Sequence, residues 1–540
     1  MADLQPSRPA VICAAGRDAH GAVTYQQLSF RELEDESSRL AQALAEVGIG
    51  RGMRTALMVP PSLDFFALTF ALFKVGAVPV LIDPGIGLSN LRGCLAHARP
   101  EAFVGITKAH AARVILGWAR DTVRINVTVG SRLFWGGHTL SGLRERVSHG
   151  PSFGVAESGP DAAAAILFTS GSTGAPKGAV YTHDIFNAQV EHIGALYGIE
   201  PGEMDLATFP LFALFGPALG MTAVVPEMDA SRPASADPVN IIGAIEKFGI
   251  TNMFGSPALI NRVGRYGELH NVKLPSLRRA ISAGAPVPAK VLERFAGMLS
   301  PGAQIFTPYG ATECLPVASM GSEEILRETR ARTDQGAGVC VGRPVPGLSA
   351  KVIRISDAPI ETWSDALELP AGEIGEIAVK AAHATRTYFN LPAATALAKI
   401  QDPADGGFYH RMGDVGYVDP QGRLWFCGRK AHRVATAQAT LFSIPCEGVF
   451  NAHPKVFRTA LVGVLRNGAT EPVLCVELEP DARGASRDAI REELRALGAG
   501  HAHTRDIQTF LFHPSFPVDV RHNAKIFREK LAGWAAGKLR

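Results

Sequence analysis

A run of small and hydroxyl-bearing residues ending on a lysine is the part of this 540-residue chain best suited to chemistry. Within LFTSGSTGAPKGAV, Leu167 to Val180, the residues Thr169, Ser170, Gly171, Ser172, Thr173 and Gly174 form a loop shortly before Lys177. Glycines let a backbone approach an anion, amides and hydroxyls donate to its oxygens, and a lysine adds positive charge. The pattern suits a phosphate group. It is not the Walker loop, because no Gly-Lys-Ser/Thr follows at the required spacing. A Gly/Ser-rich surface turn would leave the lysine, the proline and the flanking elements unexplained. Other reactive types signal less. The seven cysteines are scattered, odd in number and nowhere at a metal-ligand spacing, so they read as buried free thiols. His183 comes straight after the loop's strand, where a capping or structural role is the plainer reading.

These residues need elements to hold them. The apolar run Ala162 to Phe168 predicts a strand leading into the loop. Asp184 to Leu196 shows helical spacing of Ile185, Gln189/Val190, Ile193 and Leu196. Residues 27 to 100 alternate periodic helical stretches such as LSFRELEDESSRLAQALAEVG with strand-like runs such as TALMV, and residues 160 to 310 do the same. This alternation predicts an α/β chain with mixed, largely parallel sheets flanked by helices. From Gly372 the pattern changes. Glu376 to Lys380 and Arg423 to Cys427 read as strands, with turn chemistry at Asp419-Pro420-Gln421-Gly422. A boundary near Gly428 divides a large N-terminal domain, 1–428, from a small α+β domain, 432–540.

Length alone asks for more than one core. Hydrophobic residues at 46% and charged residues at 19% describe a globular chain, and a net charge of +3 argues against a nucleic-acid groove or polybasic membrane surface. Leu206 to Val225 carries no charge over twenty positions, but Pro210, Gly216, Pro217 and Gly220 interrupt any helix there. The stretch reads as buried segments around an apolar pocket. The N-terminus, MADLQPSRPA, lacks a basic region followed by an apolar one, so a signal peptide is not expected. A cytoplasmic location is expected, with surface association with a membrane left open.

The loop resembles the phosphate loop of the adenylate-forming superfamily of acyl-CoA synthetases, peptide-synthetase adenylation domains and firefly luciferase. Four more blocks extend the resemblance in order: SAGAPV (Ser282 to Val287), TPYGATEC (Thr307 to Cys314), YHRMGDVGYVDPQGRLWFCGRK (Tyr409 to Lys430) and FPVDVRHNAKIFREKL near the C-terminus. The resemblance implies the family's two-part fold with a mobile C-terminal domain, a hinge, and ATP and magnesium as cofactors. It implies Gly284, Ala285 and Pro286 at adenine, Tyr309 stacked on it, and Gly310 and Ala311 beside it. Thr312 would contact the α-phosphate, Glu313 would hold magnesium, Asp414 would bind the ribose, Arg429 would lie near the hinge, and Lys525 would be the catalytic lysine. With Lys177, Thr312, Glu313 and Lys525 form the expected catalytic set. A carboxylate attacking an α-phosphate pits two anions against each other, so cations at these positions make chemical sense.

Departures from the family pattern fall mainly on thiol-transfer machinery. Ala431 stands at a usually acidic or polar hinge position, and Thr440 stands about where a glycine helps build the thiol tunnel. Ala213 replaces a histidine, and Ala524 replaces the glycine before the lysine. PLFALFGPALG, VVPEMDASRPASADP and YGATECLPVA followed by GRPVPG resemble one branch, the β-lactone synthetases of bacterial olefin biosynthesis. That resemblance implies a 2-alkyl-3-hydroxy fatty acid substrate, activated by ATP and closed by its own hydroxyl. It also implies assembly with a thiolase, a reductase and a β-lactone decarboxylase. Phe209, Ala213, Phe215, Gly216, Gly255, Gly284, Cys314 and Leu315 are the expected lining of a branched apolar pocket, with Cys314 as wall and not nucleophile. A fatty acyl-CoA synthetase is the competing reading. A non-catalytic lipid-binding or scaffold subunit is another, against which the retained Lys177, Glu313, Asp414, Arg429 and Lys525 argue.

Overall fold

The computed structural model describes residues 1–83, 86–147, 153–168, 176–519 and 525–539. Two seven-stranded sheets are built mostly from parallel pairs, as the helix–strand alternation requires. One runs, in spatial order, His138–Thr139, Ile125–Val129, Ala102–Ile106, Arg54–Met58, Val78–Leu81, Ala163–Phe168 and Gly178–Thr182. Its last pair is antiparallel. The second runs Gln304–Phe306, Arg279–Ile281, Asn252–Phe254, Met204–Ala207, Thr222–Val225, Pro9–Arg17 and Val23–Ser29.

The helix Phe30–Glu46 shows why these helices sit where they do. Ser29 and Glu32 form a reciprocal capping box at its start, and Leu33, Leu40, Ala41 and Leu44 bury one face at helical spacing. The core they join also takes in Phe65, Phe66, Leu68 and Leu72 from Leu63–Lys74, together with the inner faces of both sheets.

An eight-stranded antiparallel sheet follows, and it begins at Tyr309, well before the expected change near Gly372. Its first strands, Tyr309–Ala311, Cys314–Ser319 and Val339–Pro344, are short and separated by helical turns between Ser322 and Asp334. That spacing mimics a strand–helix–strand unit in sequence. The Asp419–Gly422 turn joins Phe408–Val418 to Leu424–Arg429, and the Asp419 carboxylate fastens it. It accepts from the backbone N–H groups of Gln421 and Arg423, and at 2.9 Å from both Arg423 Nε and Trp425 Nε1. The last residues form a three-stranded sheet, Val456–Arg466, Ala469–Leu478 and Thr509–Phe512, with helices Ser443–Asn451, Arg487–Ala499 and Arg528–Lys538.

Leu206 to Val225 forms the end of a strand, two single-turn helices at Pro210–Ala213 and Phe215–Ala218, and the strand Thr222–Val225. Among the described residues no helix is long and apolar enough to cross a membrane. All seven cysteines are buried and unpaired.

Candidate active site

A cavity of about 1020 Å³ lies where the three large sheets and the C-terminal residues meet. Its lining includes the polar residues Lys177, Thr312, Glu313, Arg429 and Lys525, together with Gly310 and Ala311. It also includes an apolar group, Leu315 and the neighbouring rings of Phe209, Phe212, Phe215 and Phe254. Gly284 sits on the wall at φ +96°, a left-handed backbone that favours glycine, and Ala285 and Pro286 follow beyond the lining. Thr169, Ser170, Gly171, Ser172, Thr173 and Gly174 lie outside the described residues, as does Ala524.

Strand pairing brings Asp414 and Arg429 together. They are register partners across Phe408–Val418 and Leu424–Arg429, and Arg429 Nη1 stands 3.0 Å from Asp414 Oδ1. The phenol of Tyr309 donates to Asp414 Oδ2 at 2.7 Å. Burial raises the Asp414 carboxyl above its ordinary range, while the Arg429 charge, the Tyr309 bond and the Lys525 ammonium oppose the rise. Tyr309 and Asp414 stand behind the cavity wall and not in it. Among the described residues Asp414 Oδ1 has the ion pair but no hydrogen-bond donor in line.

Tyr388 is the central residue that sequence reasoning missed. Its hydroxyl donates to Glu313 Oε1 at 2.7 Å, and Lys177 Nζ stands 5.0 Å from its ring centroid. Burial, and then the Glu313 charge, push the phenol well above its ordinary value, so it remains a donor. Residues 387–389 reach this place by pairing with the edge strand Gly178–Thr182. Val180 N–H donates to Thr387 at 3.1 Å, and Phe389 N–H to Gly178 at 2.8 Å. The segment RTYFN carries no periodic pattern, so nothing in its sequence marked it.

Other supports also went unseen. Tyr181 donates its hydroxyl to the Thr312 carbonyl, and Gln189 Nε2 donates to the Leu315 carbonyl at 2.9 Å. Lys399 is buried next to Glu313, and that burial lowers its ammonium to about 7. Arg411 pairs with Glu376 at 2.6 Å, with both side chains almost fully buried, and Lys430 joins Glu376 at 3.0 Å. His183 lines the cavity as the first residue of the helix His183–Tyr197. The helix cap is Thr182, whose hydroxyl accepts from Ile185 N–H.

The expected pocket lining needs correction at several positions. Cys314 is fully buried in the antiparallel sheet's apolar layer with Val317 and Ala318, and burial pushes its thiol up to about 12. Successive residues of a strand face opposite sides, so Leu315 meets the cavity and Cys314 cannot. Gly255 packs against the helix Pro257–His270, where an added Cβ would meet Ile260 Cδ1 at 3.0 Å. Ala213 and Gly216 line a second, smaller cavity behind the aromatic wall.

Glu313 suits a hard cation, since its carboxylate lies on the cavity wall among groups fit for phosphates. Among the described residues no three His, Cys, Asp or Glu side chains cluster to hold a metal alone.

Comparison with known proteins agrees with this geometry. Residues 2–389 match the family model described as AMP-binding enzyme. The olefin beta-lactone synthetase of Stenotrophomonas maltophilia (strain K279a) is 52% identical, covering 100% of this chain and 97% of that protein. The protein of the same name from Xanthomonas campestris pv. campestris is 51% identical over 99% and 96% of the two chains. The amide bond synthetase McbA from Marinactinospora thermotolerans superposes with a TM-score of 0.79 at 24% identity, over 98% of this chain and 97% of that one, a likeness of fold. With a family model that matches residues 2–389 and a relative 52% identical over its full length, the chain belongs to the family of AMP-binding enzymes, ATP-dependent and AMP-forming ligases.

Proposed function

We propose that this enzyme joins ATP to a 2-alkyl-3-hydroxy fatty acid and then closes the acyl-adenylate to a β-lactone. The observation that carries the reading is one cavity lined by both cationic side chains and a cluster of apolar ones, in a chain 52% identical to a protein named olefin beta-lactone synthetase. In the first step a substrate carboxylate oxygen attacks the α-phosphorus, and the bond to the β-phosphate oxygen breaks to release pyrophosphate. Lys177 and Thr312 would bind the phosphates and Lys525 would offset the charge that builds up at the α-phosphate. Glu313 is the residue that would hold magnesium, whose part is to neutralise phosphate charge. Asp414 is buried behind the cavity wall and paired with Arg429 at 3.0 Å, so a role toward the ribose would need that wall to open.

In the second step the substrate's own 3-hydroxyl oxygen attacks the acyl carbon. The acyl–oxygen bond to AMP breaks, and the hydroxyl proton passes to solvent. An internal nucleophile needs no thiol tunnel, which accounts for Ala431 at the hinge and Thr440 in place of a glycine. Residues 432–540 would act as the mobile part that brings Lys525 in and closes the site against water. Assembly with other enzymes of the same route belongs to this reading as well.

The test uses pure protein, ATP, magnesium and a synthetic 2-alkyl-3-hydroxy acid without coenzyme A. The expected result is AMP together with oxetanone ring protons by NMR. AMP that appears only with coenzyme A, alongside a thioester, would make the enzyme an acyl-CoA ligase instead.

A further inference from the structure

A second cavity of about 70 Å³ lies behind the apolar group of the main one. Six residues line both: Phe212, Phe215, Phe254, Ala283, Pro308 and Leu315. The partition is aromatic, with the rings of Phe212 and Phe254 4.5 Å apart and those of Phe209 and Phe212 5.3 Å apart. Small side chains make the space behind it. Ala207, Ala213 and Gly216 face it, and a Cβ on Gly216 would stand 3.1 Å from that of Ala223 and 3.6 Å from Asp205 Oδ2. Leu219, Met221 and Ile281 complete apolar walls.

Its polar groups are few. Tyr197 is satisfied by Ser319 Oγ at 3.1 Å. Asp205 and Asn252 form a buried pair, Asn252 Nδ2 donating to Asp205 Oδ1 at 2.5 Å. Burial pushes the Asp205 carboxyl up to about 7, so near neutral pH it carries reduced charge toward its apolar neighbours.

A 2-alkyl-3-hydroxy acid branches next to its carboxyl group, so its two chains must part close to Glu313 and Lys525. Leu315, two residues after Glu313, lies on both cavities, as does Ala283 beside Gly284. The partition is therefore reached by an arm that starts near Glu313. We propose that the smaller cavity seats the terminal carbons of one alkyl arm, with the Asp205–Asn252 pair as the floor that limits its length, while the other arm occupies the main cavity. This rests on the branched-acid reading above. Each methylene lodged there adds roughly fourfold to kcat/KM.

The experiment measures pyrophosphate release for 3-hydroxy acids whose 2-alkyl or 3-alkyl arm is varied singly from methyl to long chain. Ala213→Leu fills the cavity from a position off the main one. Leu219→Ala deepens it. For one of the two arms, Ala213→Leu lowers the long-to-short ratio of kcat/KM by about tenfold, and Leu219→Ala shifts the optimum to a longer chain. An unchanged ratio in both variants overturns the proposal, and a poorly folded Ala213→Leu leaves Leu219→Ala to decide. Pyrophosphate release reports adenylation whatever follows it. Failure of the parent enzyme with every branched 3-hydroxy acid would instead defeat the substrate reading itself.

Discussion

Tyr388→Phe removes one oxygen from the polar lining of the cavity and leaves the rest in place. The ring that faces Lys177 at 5.0 Å is kept, so the variant isolates the bond to Glu313. That bond is 2.7 Å long between side chains of residues only 6% and 9% exposed. A hydrogen bond to a charged group in such surroundings contributes about 1.5–3 kcal/mol. If Glu313 holds magnesium, its carboxylate loses the group that fixes its orientation, and outer partners of metal ligands typically contribute about 10- to 100-fold in affinity or activity. The expected outcome is a half-saturating magnesium concentration raised by about that factor, read from pyrophosphate release at saturating ATP and acid. Thermal unfolding of the same sample shows whether the fold has survived. A magnesium titration that overlays the parent's, in a folded variant, would refute both the metal role of Glu313 and the supporting role of Tyr388.

Two further outcomes follow from the same geometry. Lys525→Ala lowers the adenylation rate by about 10²–10³ while ATP binding, followed by calorimetry, holds; full activity would mean that another cation serves the α-phosphate. Asp419→Asn alters acid stability: burial opposes ionisation, but bonds from Trp425 and Arg423 hold the carboxyl down at about 2 against an ordinary 3.8. A depressed carboxyl stabilises the fold above its unfolded value and loses that contribution as pH falls from about 4 to 2, on the order of 2–3 kcal/mol, so denaturant unfolding of the variant should depend less on pH across that window. Equal slopes for parent and variant would contradict the assignment.

Legibility from sequence depended on how local each signal was. The phosphate-loop strand, the helix after it and the Asp419–Gly422 turn were readable because periodicity and turn chemistry act over a few residues. Asp414 and Arg429 were legible as motif residues, and the turn between them is what makes them strand partners. Tyr388, Lys399 and the Glu376–Arg411 pair were not, because their partners lie on other strands and only the folded sheets bring them together. Cys314 was expected on the pocket wall together with Leu315, but in a strand a single step reverses the facing side, and only Leu315 lines the cavity. Ala213 and Gly216 were assigned to the correct region but not to the cavity they face, since Phe212 and Phe215 beside them divide the space.

The pairing of residues 387–389 with Gly178–Thr182 also bears on how the chain is made. The strand Gly178–Thr182 is the outer edge of its sheet until a segment some two hundred residues later arrives to cover it. During synthesis the ribosome delivers the N-terminal half first, with that border open to any passing strand. Closing it must wait for Tyr388, the same residue that steadies Glu313 and faces Lys177. The nascent enzyme therefore cannot acquire a finished catalytic site before its vulnerable edge is sealed, and slow elongation between those two points is where misassembly would be expected to concentrate.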